Sequence, residues 1–128
     1  MMRRRFLAGS IAASIALLAM AALPALAAPP AQEQSRIEKL IRYVESQKAM
    51  KFIRNGTEYT SEDAGKFLRG KLEAMGSEVT TARQFIKRIA SRSSMSGQPY
   101  HVRLADGQML LAENFLEEEL QRIERQPG

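Results

Sequence analysis

Ser91, Ser93, Ser94 and Ser96 lie beside Gly97 in the stretch Ser91-Arg92-Ser93-Ser94-Met95-Ser96-Gly97-Gln98-Pro99, the densest run of potential nucleophiles in the chain. A hydroxyl attacks only when a base takes its proton and paired donors receive the oxyanion, so a serine hydrolase needs partners as well as a serine. His101 is the single histidine, and Lys71 is the other side chain weighed as a base. His101 alternates with Tyr100, Val102 and Leu104, which places it across the strand from its apolar neighbours. No glycine-bracketed nucleophile elbow surrounds any of the serines. The simpler reading is that these hydroxyls bond the backbone of their own loop. No catalytic residue is assigned.

Arg54, beside Asn55-Gly56, and Arg69 each carry a planar fork of donors that suits a carboxylate or another anion. The plain alternative for both is surface ion pairing. Tyr100 follows Pro99 at the start of a strand and reads as a core aromatic with its hydroxyl toward solvent, rather than a stacking platform. With one histidine and no cysteine, only carboxylates remain as metal ligands. Glu117, Glu118 and Glu119 run around a helix rather than along one face, and read as a solvated surface with Glu118 spaced to pair with Arg122. No metal site and no cofactor are expected.

The elements that must position these residues follow from hydrophobic period. Ile37, Leu40, Ile41 and Val44 recur at helical spacing and predict an amphipathic helix over residues 35–47. Asn55-Gly56 between Lys51-Phe52-Ile53-Arg54 and Thr57-Glu58-Tyr59-Thr60 predicts a hairpin with a type I′ turn. Thr60 or Ser61 then caps a second helix with Ala64, Phe67, Leu68, Leu72 and Met75 inward, stopped at Gly76. On its surface, Glu62 with Lys66 and Arg69 with Glu73 are spaced to pair. Thr81-Ala82-Arg83-Gln84 has capping-box spacing ahead of Phe85, Ile86 and Ile89, for a third helix ending near Ser91. Tyr100 to Leu104, the Asp106-Gly107 turn and Gln108 to Leu110 make a second hairpin, and Phe115, Leu116, Leu120 and Ile123 mark a last helix over about 112–125. The expected fold is α+β and predominantly helical, with four helices and two short hairpins able to join in one small antiparallel sheet.

Ahead of this domain, Arg3-Arg4-Arg5, an apolar run from Phe6 to Leu23 and Pro24-Ala25-Leu26-Ala27 form the pattern of an export signal over residues 1–27, cleaved between Ala27 and Ala28. Arg3-Arg4-Arg5-Phe6-Leu7 also fits a twin-arginine signal, against the general secretory route. Residues 28–34, with Pro29 and Pro30, read as a flexible leader, 35–125 as one compact domain and 126–128 as a tail. The formal charge of +5 loses three arginines with the signal. A domain so weakly basic gives no reason to expect nucleic acid as a partner. No stable membrane anchor is expected after cleavage, and the absence of cysteine leaves stability to packing alone.

The blocks Phe52-Ile53-Arg54-Asn55-Gly56 with Tyr59 and Ala64, Leu68-Arg69-Gly70-Lys71-Leu72, Thr81-Ala82-Arg83-Gln84-Phe85-Ile86 and Ala90 through Tyr100 resemble the bacterial domain-of-unknown-function family 5329 over about residues 37–123. Ser-Ser-x-Ser-Gly-x-Pro-Tyr is the most specific of them. Family members often carry a histidine before the Leu-Arg pair, where this chain has Phe67. The resemblance implies a small exported, periplasmic protein and supplies no catalytic residues. It draws attention to Arg54, Asn55, Gly56, Arg69, Lys71, Ser93, Ser94, Ser96, Gly97, Pro99 and Tyr100 as residues expected to meet, with the Ser loop docked on the first hairpin and the second helix.

Two functions are weighed. One is a non-enzymatic binding or accessory domain contacting an envelope protein or cell-wall component. The other is a small hydrolase using Ser93, Ser94 or Ser96 with His101 or Lys71 on an envelope substrate.

Overall fold

Asn55 and Gly56 take φ angles of 51° and 79°, the left-handed pair that a two-residue type I′ turn demands. They join β1 (Lys51–Arg54) to β2 (Thr57–Tyr59), with Arg54 opposite Thr57 and Phe52 opposite Tyr59. The structure is a computed structural model that describes residues 30–126. The expected export signal, the Ala27–Ala28 cleavage point and the last two residues of the tail lie outside the described residues. β3 (His101–Arg103) pairs antiparallel with β1, and β4 (Met109–Leu111) with β3. The two hairpins therefore form one four-stranded antiparallel sheet in the order β2-β1-β3-β4. The second connection is wider than a bare Asp-Gly turn: Leu104 N–H donates to Gln108 O at 2.8 Å, and Asp106 Oδ1 accepts Gln108 N–H at 3.0 Å.

Strand alternation sorts the sheet into two faces. Phe52, Tyr59, Val102 and Leu110 share a register row on the inner face, and Ile53, Glu58, His101 and Leu111 a row on the outer one. Among the described residues, helices cover only the inner face. Val102 is fully buried there, while Met109 and Leu111 of β4 stay exposed.

Helix α1 spans Ala31–Ser46 and so begins inside the expected leader. The correction has a physical cause in Glu33. Its carboxylate pairs with Arg36 at 2.8 Å, and its Oε1 accepts the Ala82 amide N–H, also at 2.8 Å, from another helix. Helix α2, Ser61–Met75, starts as expected, with Thr60 Oγ1 accepting Asp63 N–H at 3.1 Å. Gly76 does not stop it in the left-handed region; its φ of −60° leads into a single 3₁₀ turn, Gly76–Glu78.

Helix α3 is shorter than expected, Ala82–Arg88. Thr81 Oγ1 accepts Gln84 N–H at 3.0 Å, and the Gln84 side chain returns to Thr80 N–H rather than to Thr81. Helix α4, Ala112–Glu124, carries Phe115, Leu116, Leu120 and Ile123 inward. Glu119 is also buried, at 6 % exposure, and bonds Arg122, so the three glutamates are not one solvated face and Arg122 pairs with Glu119 instead of Glu118.

Leu40, Phe85, Ile86, Ile89 and Leu120 form the inaccessible centre between the helices. Phe115 links that centre to the sheet, stacked on Tyr43 at 5.3 Å and edge-on to Phe52 at 6.2 Å. Among the described residues no helix is long and apolar enough to cross a membrane.

Candidate functional site

Beyond α3 the chain turns back on itself through a bridge between Arg92 and Pro99. Ser93 N–H donates to Gln98 O and Gly97 N–H to Ser93 O, both at 2.9 Å, with Gly97 at a φ of 75° where a side chain would be strained. Inside this loop the Ser93 hydroxyl oxygen accepts the amides of Met95 and Ser96, each at 3.2 Å, and the Asn55 side-chain amide at 3.4 Å. The Ser96 hydroxyl donates to Asn55 Oδ1 at 2.6 Å and accepts Gln98 N–H at 3.2 Å. Ser91 is buried and donates to Lys87 O at 2.7 Å. The loop is thus fastened to the tip of the first hairpin by both ends of one amide side chain. At its crest Met95 is 96 % exposed.

Below this loop a cationic and aromatic cluster fills the end of the sheet. The Arg54 guanidinium lies 4.2 Å from the Phe67 ring centroid and 5.1 Å from that of Tyr59, and donates to Tyr59 Oη at 2.9 Å. Lys71, one helical turn beyond Phe67 on α2, places its ammonium 5.9 Å from the same Phe67 ring and 5.0 Å from Tyr100. It donates to Tyr100 Oη at 3.0 Å and to Arg92 O at 2.9 Å. Burial, and then the charge of Arg54, hold the Lys71 pKa below its usual value. Burial raises that of Tyr100, against the opposing charge of Arg54.

Among the described residues no carboxylate pairs with Arg54 or Lys71, whereas Arg36, Arg42, Arg69, Arg83, Arg103 and Arg122 all have one. Next to Arg54 lies a small apolar cavity of about 40 Å³, walled by Phe52, Phe67, Leu68, Tyr100 and Phe115 as well as by Arg54 and Tyr59.

Asn55, Ser93, Ser96 and Gly97 are hydrogen-bonded together at the loop and hairpin tip, Tyr100 N–H bonds Ser91 O, and Lys71 joins α2 to the loop. Arg69 does not. Its guanidinium bonds Glu38 at 2.9 Å and Glu45 at 3.1 Å, both on α1, so it clamps the two long helices and has no part in the loop; the expected Glu73 is not its partner. Glu62 likewise pairs with Lys48 and not with Lys66. Ser94 is exposed and its hydroxyl reaches only the Met75 sulfur, at 3.9 Å. No serine hydroxyl bonds His101 or Lys71 among the described residues.

The sequence reading placed Phe67 on the inward face of the second helix and Tyr59 in the first hairpin, but did not join either to the cationic cluster. The signal was available in the spacing of Phe67 and Lys71, four apart on a helix. Among the described residues no three His, Asp or Glu side chains are placed to hold a metal ion.

No solved structure matches the chain. It is 39 % identical over 90 residues to an uncharacterized protein, YfeK, of Salmonella typhimurium strain LT2, an alignment covering 70 % of this chain and 73 % of that one. A family model matches residues 31–124, from the first residue of α1 to the last of α4, and the chain belongs to that family of unknown function, DUF5329.

Proposed function

We propose that the protein is a non-enzymatic binding or accessory domain of the cell envelope, exported by its N-terminal segment, and that it engages its partner through the face shared by the Ser loop and the β1–β2 turn. The observation that carries this reading is Met95, 96 % exposed at the crest of a loop whose backbone is tied down by Ser93 and Asn55. A flexible thioether adapts to many apolar surfaces. A loop already fixed loses little conformational freedom when something packs on it, so its contacts are not offset by ordering.

The serine hydroxyls also favour binding over hydrolysis. Ser93 and Ser96 are engaged by the backbone and by Asn55, and the Lys71 ammonium donates to Tyr100 and Arg92 rather than meeting any serine hydroxyl.

A photoreactive residue at position 95, compared in whole cells with one at Gln121 on the exposed side of α4, tests the reading. The expected result is a discrete adduct from position 95, absent from 121 and diminished by Asn55→Ala. Equal adducts from both positions, or covalent labelling of the wild-type protein by a fluorophosphonate, would overturn it.

A further inference from the structure

Arg54 and Lys71 stand against one phenylalanine ring at 4.2 Å and 5.9 Å, among the described residues without a carboxylate paired to either, and Arg54 lines a cavity whose walls are apolar. Two cations held this close repel one another, and an anion between them would relieve that repulsion. Their free donors set the shape of the anion. Lys71 commits protons to Arg92 O and Tyr100 Oη, which leaves one of an ammonium's three. Arg54 commits one terminal nitrogen to Tyr59 and keeps the rest of its fork. The Arg54 fork offers a parallel pair of N–H donors that matches the two oxygens of a carboxylate, and Lys71 adds a second positive charge and one further donor. A phosphate dianion would bring a heavier hydration shell to be stripped beside apolar walls.

The cavity adds the second half of the ligand. A single water needs roughly 10–15 Å³ of such space, so the 40 Å³ here takes about three heavy atoms. Phe52, Phe67 and Phe115 offer such a group no hydrogen bond, so it must be aliphatic rather than polar.

We propose that Arg54 and Lys71 seat the carboxylate of a ligand ending in a short aliphatic acid, with its hydrocarbon in the cavity beside Phe67. This rests on the reading of the loop and hairpin face as a binding face and names the chemistry of its ligand. The two cations supply charge, Tyr59 and Tyr100 hold them in place, and the cavity selects for chain length.

The test is a titration of the purified, ¹⁵N-labelled protein with sodium acetate, sodium butyrate and inorganic phosphate, following the Arg54 side-chain Nε–H and the Phe67 and Lys71 amides. Butyrate is expected to bind about tenfold more tightly than acetate, from its two additional methylenes, and more tightly than phosphate. Lys71→Met should weaken butyrate about tenfold or more. If that variant fails to fold, Arg54→Gln should weaken butyrate in the same way. Equal affinity for acetate and butyrate, preference for phosphate, no saturable shift up to ~50 mM, or unchanged butyrate binding in the folded variant would overturn the proposal. These outcomes are independent of the adduct from position 95. A failed titration with an intact adduct removes the carboxylate seat alone, and a saturable butyrate shift without an adduct removes the Met95 contact alone.

Discussion

Glu45 occupies the space that a side chain on Gly65 would need: an ideal Cβ at position 65 would lie 2.3 Å from Glu45 Cγ and 2.6 Å from its Oε2. This close passage of α2 over α1 also lets Ser61 Oγ donate to Glu45 O at 3.2 Å and brings Arg69 within reach of Glu38 and Glu45. Gly65→Ala gains about 1 kcal/mol of helix propensity but forces Glu45 aside, an overpacking that costs about 1–3 kcal/mol. The expected net effect is a loss of about 1 kcal/mol. The three atoms nearest the new Cβ all belong to the Glu45 side chain, so in the Glu45→Ala background the same change should become neutral or stabilising. Urea denaturation of the four proteins in this cycle checks it, and additive effects would contradict it.

The Arg69 guanidinium bonded to Glu38 holds that carboxyl down from its usual 4.5 to about 2, with Arg42 adding to the effect and partial burial opposing it. A folded-state value below the unfolded one means the pair stabilises the protein fully above about pH 5 and progressively loses that contribution as pH falls toward 2. Glu38 and Arg69 are 39 % and 42 % exposed, so solvent screening limits the contribution to at most about 1 kcal/mol. Arg69→Met should flatten the acid limb of a stability profile measured from pH 6 to 2. Because Arg69 does not touch the Ser loop, the same variant should leave amide exchange at Ser93 to Gly97 unchanged.

Local pattern carried much of this fold. Asn55-Gly56 encodes its own turn, and the apolar spacing of α1, α2 and α4 is periodic enough to reveal their inward faces. What escaped the sequence depends on partners distant along the chain. The first turn of α1 was hidden because Glu33 finds the Ala82 amide 49 residues away. Arg69 was misplaced because the approach of α1 at Gly65, invisible to helix periodicity, gives it Glu38 and Glu45 in place of Glu73. In the site, the Ser loop and Asn55 were visible as turn residues. The grip of Lys71 on Tyr100 Oη and the stacking of Arg54 on Phe67 required the sheet and α2 to be assembled first.

Asn55 has two roles that substitution can separate. Its φ of 51° costs a side chain other than Asn or Asp about 1–2 kcal/mol, and its amide holds Ser93 and Ser96. Asn55→Gly keeps the turn and loses only the tether, at a cost of about 0.5–1 kcal/mol. Asn55→Ala loses both and should be the less stable variant by about 1 kcal/mol. Thermal melts of the two proteins decide the order; equal stability would mean that the turn carries no strain.

Ser93 is expected to behave as a structural clasp. At 5 % exposure its hydroxyl oxygen receives the amides of Met95 and Ser96, and Ser93→Ala leaves both without that acceptor, at a cost of about 1–2 kcal/mol. Ser94→Ala removes only a long contact to the Met75 sulfur and should change stability by less than about 0.5 kcal/mol. Hydrogen exchange should separate the two variants further. In Ser93→Ala the Met95 and Ser96 amides should exchange much faster while the buried amides of α4 are unchanged, and Ser94→Ala should leave the loop as protected as in the wild type. A nucleophile would show the opposite signature, since removing a reactive hydroxyl relieves packing and desolvation constraints and leaves the fold as stable or more so. A Ser93→Ala protein as stable as the wild type, with a protected loop, would therefore overturn the clasp and return Ser93 to consideration as a reactive group.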